Sequence, residues 1–177
     1  MREREIRILA VNPGSIYVGI AVFHGLELVD WGVRSIREKS VQDKAERLKR
    51  IMAEMMERDG INCFAIKRIH PARSSENLQA ITRSMKEWAR KEGMEVHEHS
   101  IKEIESSLLS SERRNKQVLM EEGAVRYSFL YPELEKERQN RNPYLVRMFE
   151  AVALGMKCLS DMEKAKGRKR ISINHEC

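Results

Sequence analysis

A turn between two apolar segments is the first place where the sequence suggests chemistry. Residues 10–23, AVNPGSIYVGIAVF, place Asn12-Pro13-Gly14-Ser15 between two runs rich in β-branched residues. These residue types suit a tight turn between strands. Where such a turn serves catalysis, the residue before the proline is usually an acid that can hold a metal, but here it is Asn12. The turn is therefore either architecture alone or part of a site whose chemistry has changed.

Histidines and cysteines give a weaker signal for a metal site. His97 and His99 alternate on a predicted strand and share one face, a spacing that some metal sites use. The pattern offers no third ligand, so the pair is interpreted as surface histidines. Cys63, Cys158 and Cys177 are scattered, without C-x-x-C spacing, which excludes a disulfide framework or a zinc knuckle and favours a reducing compartment. They are interpreted as two buried small hydrophobes and one tail thiol.

Composition predicts one soluble globular domain with an anionic partner. The chain has 177 residues, of which 41% are hydrophobic and 34% charged, and a formal net charge of +6. A basic balance favours nucleic acid as the partner. No apolar run reaches the length of a signal peptide or a membrane span. We therefore expect a cytoplasmic protein with no membrane partner.

Hydrophobic periodicity predicts the element order β-β-β-α-β-α-β-α-α-α. The predicted strands cover 6–12, 17–25, 26–36, 61–67 and 94–100. The predicted helices cover 41–58, the segment between a Ser74 or Ser75 cap and Gly93, 101–109, 114–130 and 143–160. A meander followed by alternating helices and strands implies one mixed sheet with helices on both faces.

The boundaries near the C-terminus depend on prolines and charge. Pro132 is expected to end a helix, which makes 132–142 a polar connection. Asn142-Pro143 is expected to cap and open the last helix, ending near Ser160. Residues 1–160 are then expected to form one domain, and residues 161–177 a basic, flexible tail. The alternative is that this tail binds phosphate groups electrostatically.

This order and these turns resemble the ribonuclease H-like fold and, within it, the RuvC-type Holliday-junction resolvases. The first strand of those nucleases ends in Asp-Pro-Gly-Ser, and Asn12-Pro13-Gly14-Ser15, Gly19 and the GIAVF strand are similar to it. The segments that resemble the family's fourth strand, last strand and final helix are FAIKRIH (64–70), VHEHSIKEIESSLL (96–109) and RMFEAVALGM (147–156). The resemblance covers residues 5–160 and implies an α/β, five-stranded mixed sheet.

The resemblance also implies where a catalytic site would lie. Family nucleases use four carboxylates to hold two divalent metals, and the matching residues here are Asn12, Lys67, Arg147 and Glu150. With Lys67 and Arg147 positive and Glu150 negative, the formal charge changes from −4 to +1. Because hard Mg²⁺ needs anionic oxygen ligands, we expect loss of the two-metal reaction and no cofactor. Mg²⁺ is expected only if a divergent nuclease survives.

Cationic residues at these positions predict phosphate binding without cleavage. The alternative is a purely structural role. Arg147 and Glu150 would then form an ion pair along their helix, and Lys67 would cap the end of its strand and point to solvent. The residues predicted to bind nucleic acid are Ser15, Lys67, Arg68, His70, Arg73 and Arg147.

Three functions remain open at this stage. The first is a catalytically degenerate RuvC-like protein that binds nucleic acid, branched DNA included. The second is an active, divergent structure-specific endonuclease in which Glu150, Asp30 and Asn12 surround a single metal. The third is a protein-interaction or assembly module, since fold alone does not fix function. The resemblance also implies a homodimer.

Overall fold

The computed structural model describes residues 4–173, with side chains through residue 169. Its five strands are Arg7–Asn12 (β1), Tyr17–His24 (β2), Glu27–Ser35 (β3), Cys63–Lys67 (β4) and Glu95–His99 (β5). Its helices are Val41–Asp59 (α1), Glu76–Lys91 (α2), Ile101–Leu108 (α3), Lys116–Arg126 (α4), Tyr131–Gln139 (α5) and Val146–Ile173 (α6). In the described part of the chain, no helix is long and apolar enough to cross a membrane.

The strands form one mixed sheet in the order β3-β2-β1-β4-β5. The β1–β2 and β2–β3 pairs are antiparallel, as the meander predicts. The β1–β4 and β4–β5 pairs are parallel, because helices α1 and α2 carry the chain back to the same end of the sheet. The predicted α/β, ribonuclease H-like sheet is confirmed.

The core has two layers, because successive side chains along each strand point to opposite faces of the sheet. In β1, Leu9 and Val11 pack against α1 and α2, while Ile8 and Ala10 pack against the layer that contains α3 to α6. Asn12 continues the second alternation, so its side chain lies on the α6 face.

Local signals explain the ends of several helices. Ser40 and Ser75 accept hydrogen bonds from backbone N–H groups in the first turns of α1 and α2. Gly60 ends α1 in the left-handed conformation at φ 64°. At the start of α3, Ser100 and Glu103 form a reciprocal capping box.

The predicted polar connection after Pro132 is wrong. Residues Tyr131–Gln139 form helix α5, with the proline in its first turn. At that position the missing N–H costs nothing, so the proline opens a helix. The previous helix has already ended at Arg126, before the predicted end at residue 130.

The predicted start and end of the last helix are also wrong. It begins at Val146, not at Asn142-Pro143, because the buried Glu137 carboxylate accepts hydrogen bonds from the N–H groups of Leu145 and Val146, each at 3.0 Å. The helix then continues to Ile173, past the predicted end near Ser160. Much of the segment assigned to a basic tail is therefore helical, and residues 174–177 lie outside the described residues.

Candidate functional site

Two neighbouring parallel strands bring polar side chains to one edge of the sheet. Strand β1 ends at Asn12 and strand β4 ends at Lys67. The register pairs Val11 with Ile66, so Asn12 and Lys67 occupy the next positions along the two strands. This edge is where the resemblance placed the site, and both side chains contact Glu150 on α6.

Gly19 allows helix α6 to approach this edge. It lies opposite Asn12 in the β1–β2 register. A Cβ atom on Gly19 would collide with the backbone carbonyl of Arg147, so a larger residue would push the helix away. The close approach places Arg147 and Glu150, about one helical turn apart, over the ends of β1 and β4.

Glu150 is a buried carboxylate with three polar neighbours. Its side chain is 5% exposed, and its Oε2 lies 2.7 Å from Lys67 Nζ. The Nδ2 group of Asn12 donates a second hydrogen bond to Oε2, also at 2.7 Å. Lys116 Nζ lies 3.8 Å from Oε1. A positive charge and a neutral donor thus offset the cost of removing the carboxylate from water.

Asn12 is fully buried and only partly satisfied. Its Nδ2 group also donates to the backbone carbonyl of Arg147 at 3.3 Å, which ties β1 to α6. Its Oδ1 atom accepts no hydrogen bond from any described residue. The amide is oriented so that its donor group meets the Glu150 carboxylate, and an aspartate there would instead bring two carboxylates together.

Arg147 does not form the ion pair with Glu150 that the alternative interpretation placed along the helix. Within the described residues, Glu150 pairs with Lys67 and Lys116, and the half-buried Arg147 guanidinium lies against Gly14 of the turn. The alternative in which Lys67 points to solvent is also wrong, since its side chain is only 20% exposed. Arg147 therefore keeps its charge available beside the Asn12 turn.

These residues do not fit a two-metal centre. Such a centre needs several anionic oxygens around the two ions, and Glu150 is the only carboxylate among the four matched positions. It is already bonded to the ammonium group of Lys67. Two further cations nearby, Lys116 and Arg147, would repel a divalent ion.

A positively charged groove opens beside this cluster. The cavity has a volume of about 680 Å³ and lies between the β4–α2 connection, the start of α3 and the start of α6. We call it the basic groove, and its cationic lining residues are Lys67, Arg68, Arg73, Lys102, Lys116 and Arg147. Glu150 is its one acidic lining residue. A second cavity of about 700 Å³ on the α4–α5 side shares Lys67, Lys116, Arg147 and Glu150.

The groove gathers five of the six residues predicted to bind nucleic acid. These five are Lys67, Arg68, His70, Arg73 and Arg147. Ser15 is exposed outside the lining, and its carbonyl accepts a hydrogen bond from Lys44 Nζ at 2.6 Å. His70 also has a local role, since its Nδ1 accepts a hydrogen bond from the N–H of Ala72.

The sequence interpretation missed Lys102 and Lys116, each near the start of a helix. Asn115 caps α4 directly before Lys116, so the sequence could have placed that lysine at a helix start. It could not show that this helix start faces Glu150, because that depends on how α4 packs against α6.

Arg68 is restrained by a carboxylate at the groove wall. Its Nη1 lies 3.5 Å from Glu103 Oε2. The pKa of Glu103 is lowered, chiefly because the Ser100 backbone N–H donates to its carboxylate at 2.6 Å and further because Arg68 is close. Glu103 therefore stays ionised and holds the guanidinium at the mouth of the groove.

Asp30 does not join Glu150 and Asn12. It pairs with Arg58 of α1 at 2.7 Å. The β2–β3 register places it opposite Val22, whose side chain packs in the α1–α2 layer. Directly paired residues share a face, so Asp30 lies on the side of the sheet opposite the α6 face. The single-metal arrangement around Glu150, Asp30 and Asn12 is not present.

The interpretation of His97 and His99 as surface histidines is wrong. Their side chains are 25% and 15% exposed and lie under α6. His97 has a third and a fourth potential ligand group beside it, the thiols of Cys63 and Cys158. The two cysteines are buried, as predicted.

Comparison with known proteins supports the fold. No protein-family model matches the sequence, and no curated protein matches it at a significant level. Among solved structures, RuvC of Thermus thermophilus matches with a TM-score of 0.65 and 14% identity, over 90% of this chain and 97% of that one. The complex of T. thermophilus RuvC with a Holliday junction substrate gives a TM-score of 0.60 and 14% identity, over 86% and 91% of the two chains.

A mitochondrial protein has a similar structure. The yeast mitochondrial Holliday junction resolvase Ydc2 matches with a TM-score of 0.65 and 11% identity, over 97% of this chain and 85% of that one. The matches span nearly the whole of each chain, so the RuvC-type, ribonuclease H-like fold predicted from the sequence is confirmed.

Proposed function

We propose that this protein binds nucleic acid, with branched DNA as the substrate class, and does not cleave it by a two-metal reaction. The observation that carries the proposal is the 2.7 Å contact between Lys67 Nζ and Glu150 Oε2, with Asn12 bonded to the same oxygen. An ammonium group and an amide occupy the place where the resemblance puts metal-binding acids.

The basic groove supplies the affinity in this proposal. Lysines and arginines that neutralise phosphates release counterions, which makes binding strongly dependent on salt. Six cationic lining residues outnumber the carboxylates of Glu150 and Glu103 and give the groove the positive charge that a DNA backbone requires. Arg147 would bind a phosphate beside the Asn12-Pro13-Gly14-Ser15 turn through a bidentate guanidinium contact. The solved complex of T. thermophilus RuvC with a Holliday junction substrate supports a branched substrate.

The proposal predicts that exposed cations of the groove control binding. Arg73→Glu and Lys102→Glu should each weaken binding to a labelled four-way junction, by about tenfold at moderate salt. Each should also reduce the slope of log K against log salt by about one. Both side chains are exposed, so folding should be unaffected.

The matched control is Lys49→Glu, which makes the same charge change on α1, outside the groove. Lys49 lies beside Glu46 at 3.2 Å, and its replacement should leave the salt slope nearly unchanged. Equal effects from all three variants would contradict a specific groove. Absence of binding by the wild-type protein at low salt would favour an interaction module.

Two further expectations belong to the same proposal. A homodimer and a cytoplasmic location remain predictions from the sequence and the resemblance. Sedimentation of the purified protein with and without junction DNA would test the first of them.

A further inference from the structure

A group of soft ligand atoms lies between the sheet and helix α6, away from the basic groove. Cys63 on β4, His97 on β5 and Cys158 on α6 offer one ligand atom each, all within 4.8 Å of one another. We call these three residues the thiol–imidazole cluster. Both thiols are free, with Cys63 2% and Cys158 0% exposed. The register explains part of this arrangement, because His97 pairs with Ala65 and so shares a face with Cys63.

The imidazoles beside these thiols lack ordinary partners. The Nε2 atoms of His97 and His99 are buried and make no hydrogen bond to any described residue. His97 Nε2 lies 2.9 Å from Glu95 Oε1 without the alignment of a hydrogen bond, and His99 Nε2 lies 3.7 Å from Asp161 Oδ2, which is too long for one. Carboxylates next to imidazoles are the usual outer partners of metal-bound histidines.

The spacing is close to that of a tetrahedral zinc site. With Zn–S bonds of about 2.3 Å and Zn–N bonds of about 2.0 Å, tetrahedral geometry separates ligand atoms by about 3.5 to 3.8 Å. The three ligand atoms of the thiol–imidazole cluster all lie within 4.8 Å of one another, so none of their separations exceeds the tetrahedral value by much more than about 1 Å. Small side-chain rotations would complete the coordination.

A cavity also reaches one member of the thiol–imidazole cluster. A cavity of about 460 Å³ is lined by Cys63 and Glu95, together with residues of α6 and the first described residues of the chain. An ion in this cavity would meet Cys63 first, and an entry path is one of the features that a real site requires.

We propose that Cys63, His97 and Cys158 bind a Zn²⁺ ion, with His99 as the fourth ligand. His99 lies on the same face of β5 as His97 but outside the group of three whose ligand atoms lie within 4.8 Å of one another. Its side chain must therefore turn toward the ion to complete a Cys₂His₂ set, which is typical of structural zinc. Both thiols lose their protons to the solvent as the two Zn–S bonds form. The ion clamps α6, which carries Arg147 and Glu150, to β4, which carries Lys67. This inference does not rest on nucleic-acid binding.

Cobalt provides a direct test of thiolate and imidazole ligands. The full chain is reduced, stripped with a chelator and titrated with Co²⁺ without oxygen. We expect thiolate-to-cobalt charge-transfer absorption and strong visible bands that saturate at one equivalent and disappear when Zn²⁺ is added. Zn²⁺ should also raise the Tm of the stripped protein, because it binds the folded state.

Matched variants identify the ligands. Cys63→Ser and Cys158→Ser should each abolish the charge-transfer band and the Zn²⁺-dependent rise in Tm. His97→Gln and His99→Gln should each weaken Co²⁺ binding by about tenfold or more. Cys177→Ser and His175→Gln, both outside the described residues, should bind Co²⁺ and respond to Zn²⁺ as the wild-type protein does. Circular dichroism checks that each variant is folded.

Three results would overturn the proposal. One is a folded, reduced wild-type protein that shows no saturable cobalt band. Another is a band that persists in both Cys63→Ser and Cys158→Ser. The third is a protein whose Cys63 and Cys158 form a disulfide and take up no metal after reduction.

Discussion

At the scale of single residues, a buried carboxylate is stable only when donors or positive charges lie close to it. Glu150 meets this requirement through Lys67 and Asn12, each at 2.7 Å. Aspartates at positions 12 and 147 and a glutamate at position 67 would instead crowd carboxylates together, and such a group is stable only with bound cations. The residue types at this edge therefore stabilise the Glu150 carboxylate with side-chain charge and an amide donor.

The Lys67–Glu150 pair gives a stability prediction. Glu150→Gln leaves a mostly buried ammonium group without its counter-charge and should lower the free energy of unfolding by about 3 kcal/mol. Lys67→Met should lower the free energy of unfolding by about 2 kcal/mol. This loss is smaller than for Glu150→Gln, because Glu150 keeps Asn12 and Lys116 as partners. The double variant should cost at least about 1 kcal/mol less than the sum, since the two changes remove one interaction.

Urea unfolding of the four proteins in this cycle measures the coupling. Glu46→Gln is the control, because Glu46 pairs with Lys49 at an exposed position and its loss should change stability by less than about 0.5 kcal/mol. Additive effects of the Lys67 and Glu150 variants would show that the two side chains do not interact in solution.

At the scale of elements, the position of α6 against β2 determines which groups meet at the sheet edge. Gly19 permits that contact, because any Cβ atom there would collide with the carbonyl of Arg147. The buried Glu137 fixes the first turn of the same helix by accepting two backbone N–H groups. Gly19 on β2 and Glu137 on α5 thus determine where Arg147 and Glu150 lie.

Gly19→Ala should move α6 and destabilise the protein by about 3 kcal/mol. Because Arg147 moves with the helix, this variant should also weaken junction binding while it is still folded. Gly167→Ala is the matched control within α6, where a Cβ atom meets nothing within 4 Å. Because alanine favours the helix over glycine, Gly167→Ala should raise the free energy of unfolding by up to about 1 kcal/mol. Urea unfolding of the two variants compares them, and equal stabilities would contradict the close contact.

The elements also show what the sequence could and could not predict. Periodicity located the five strands and helices α1 and α2 to within a few residues, because their apolar faces are regular. It failed around Pro132 and Asn142, where one residue type can end a helix or open one. The basic residues after Ser160 indicated a tail, although charged residues are also compatible with an exposed helix.

At the scale of the whole molecule, the sequence anticipated the site better than its surroundings. The resemblance placed Asn12, Lys67, Arg147 and Glu150 at one site. The presence of Lys102 and Lys116 in the basic groove depends on how α3 and α4 pack, and no local sequence pattern specifies that packing. The same is true of Cys63, His97 and Cys158, whose thiols and imidazole meet because α6 packs on the face of the sheet that carries Cys63 of β4 and His97 of β5.

The whole molecule is therefore a RuvC-type scaffold with a basic groove at the sheet edge that ends β1 and β4. The groove residues come from the β4–α2 connection and from the starts of α3, α4 and α6. Binding and cleavage can be separated in such a scaffold, because the groove supplies charge while catalysis would need metal ligands at the edge.

The most direct test measures binding and cleavage on the same samples. Purified protein is titrated into a labelled four-way junction and a plain duplex, with Mg²⁺ or Mn²⁺ present. The account predicts salt-dependent binding, tighter for the junction, with the DNA left intact. Metal-dependent cleavage that disappears in Glu150→Gln would contradict it, because Glu150 would then be serving a metal and not Lys67.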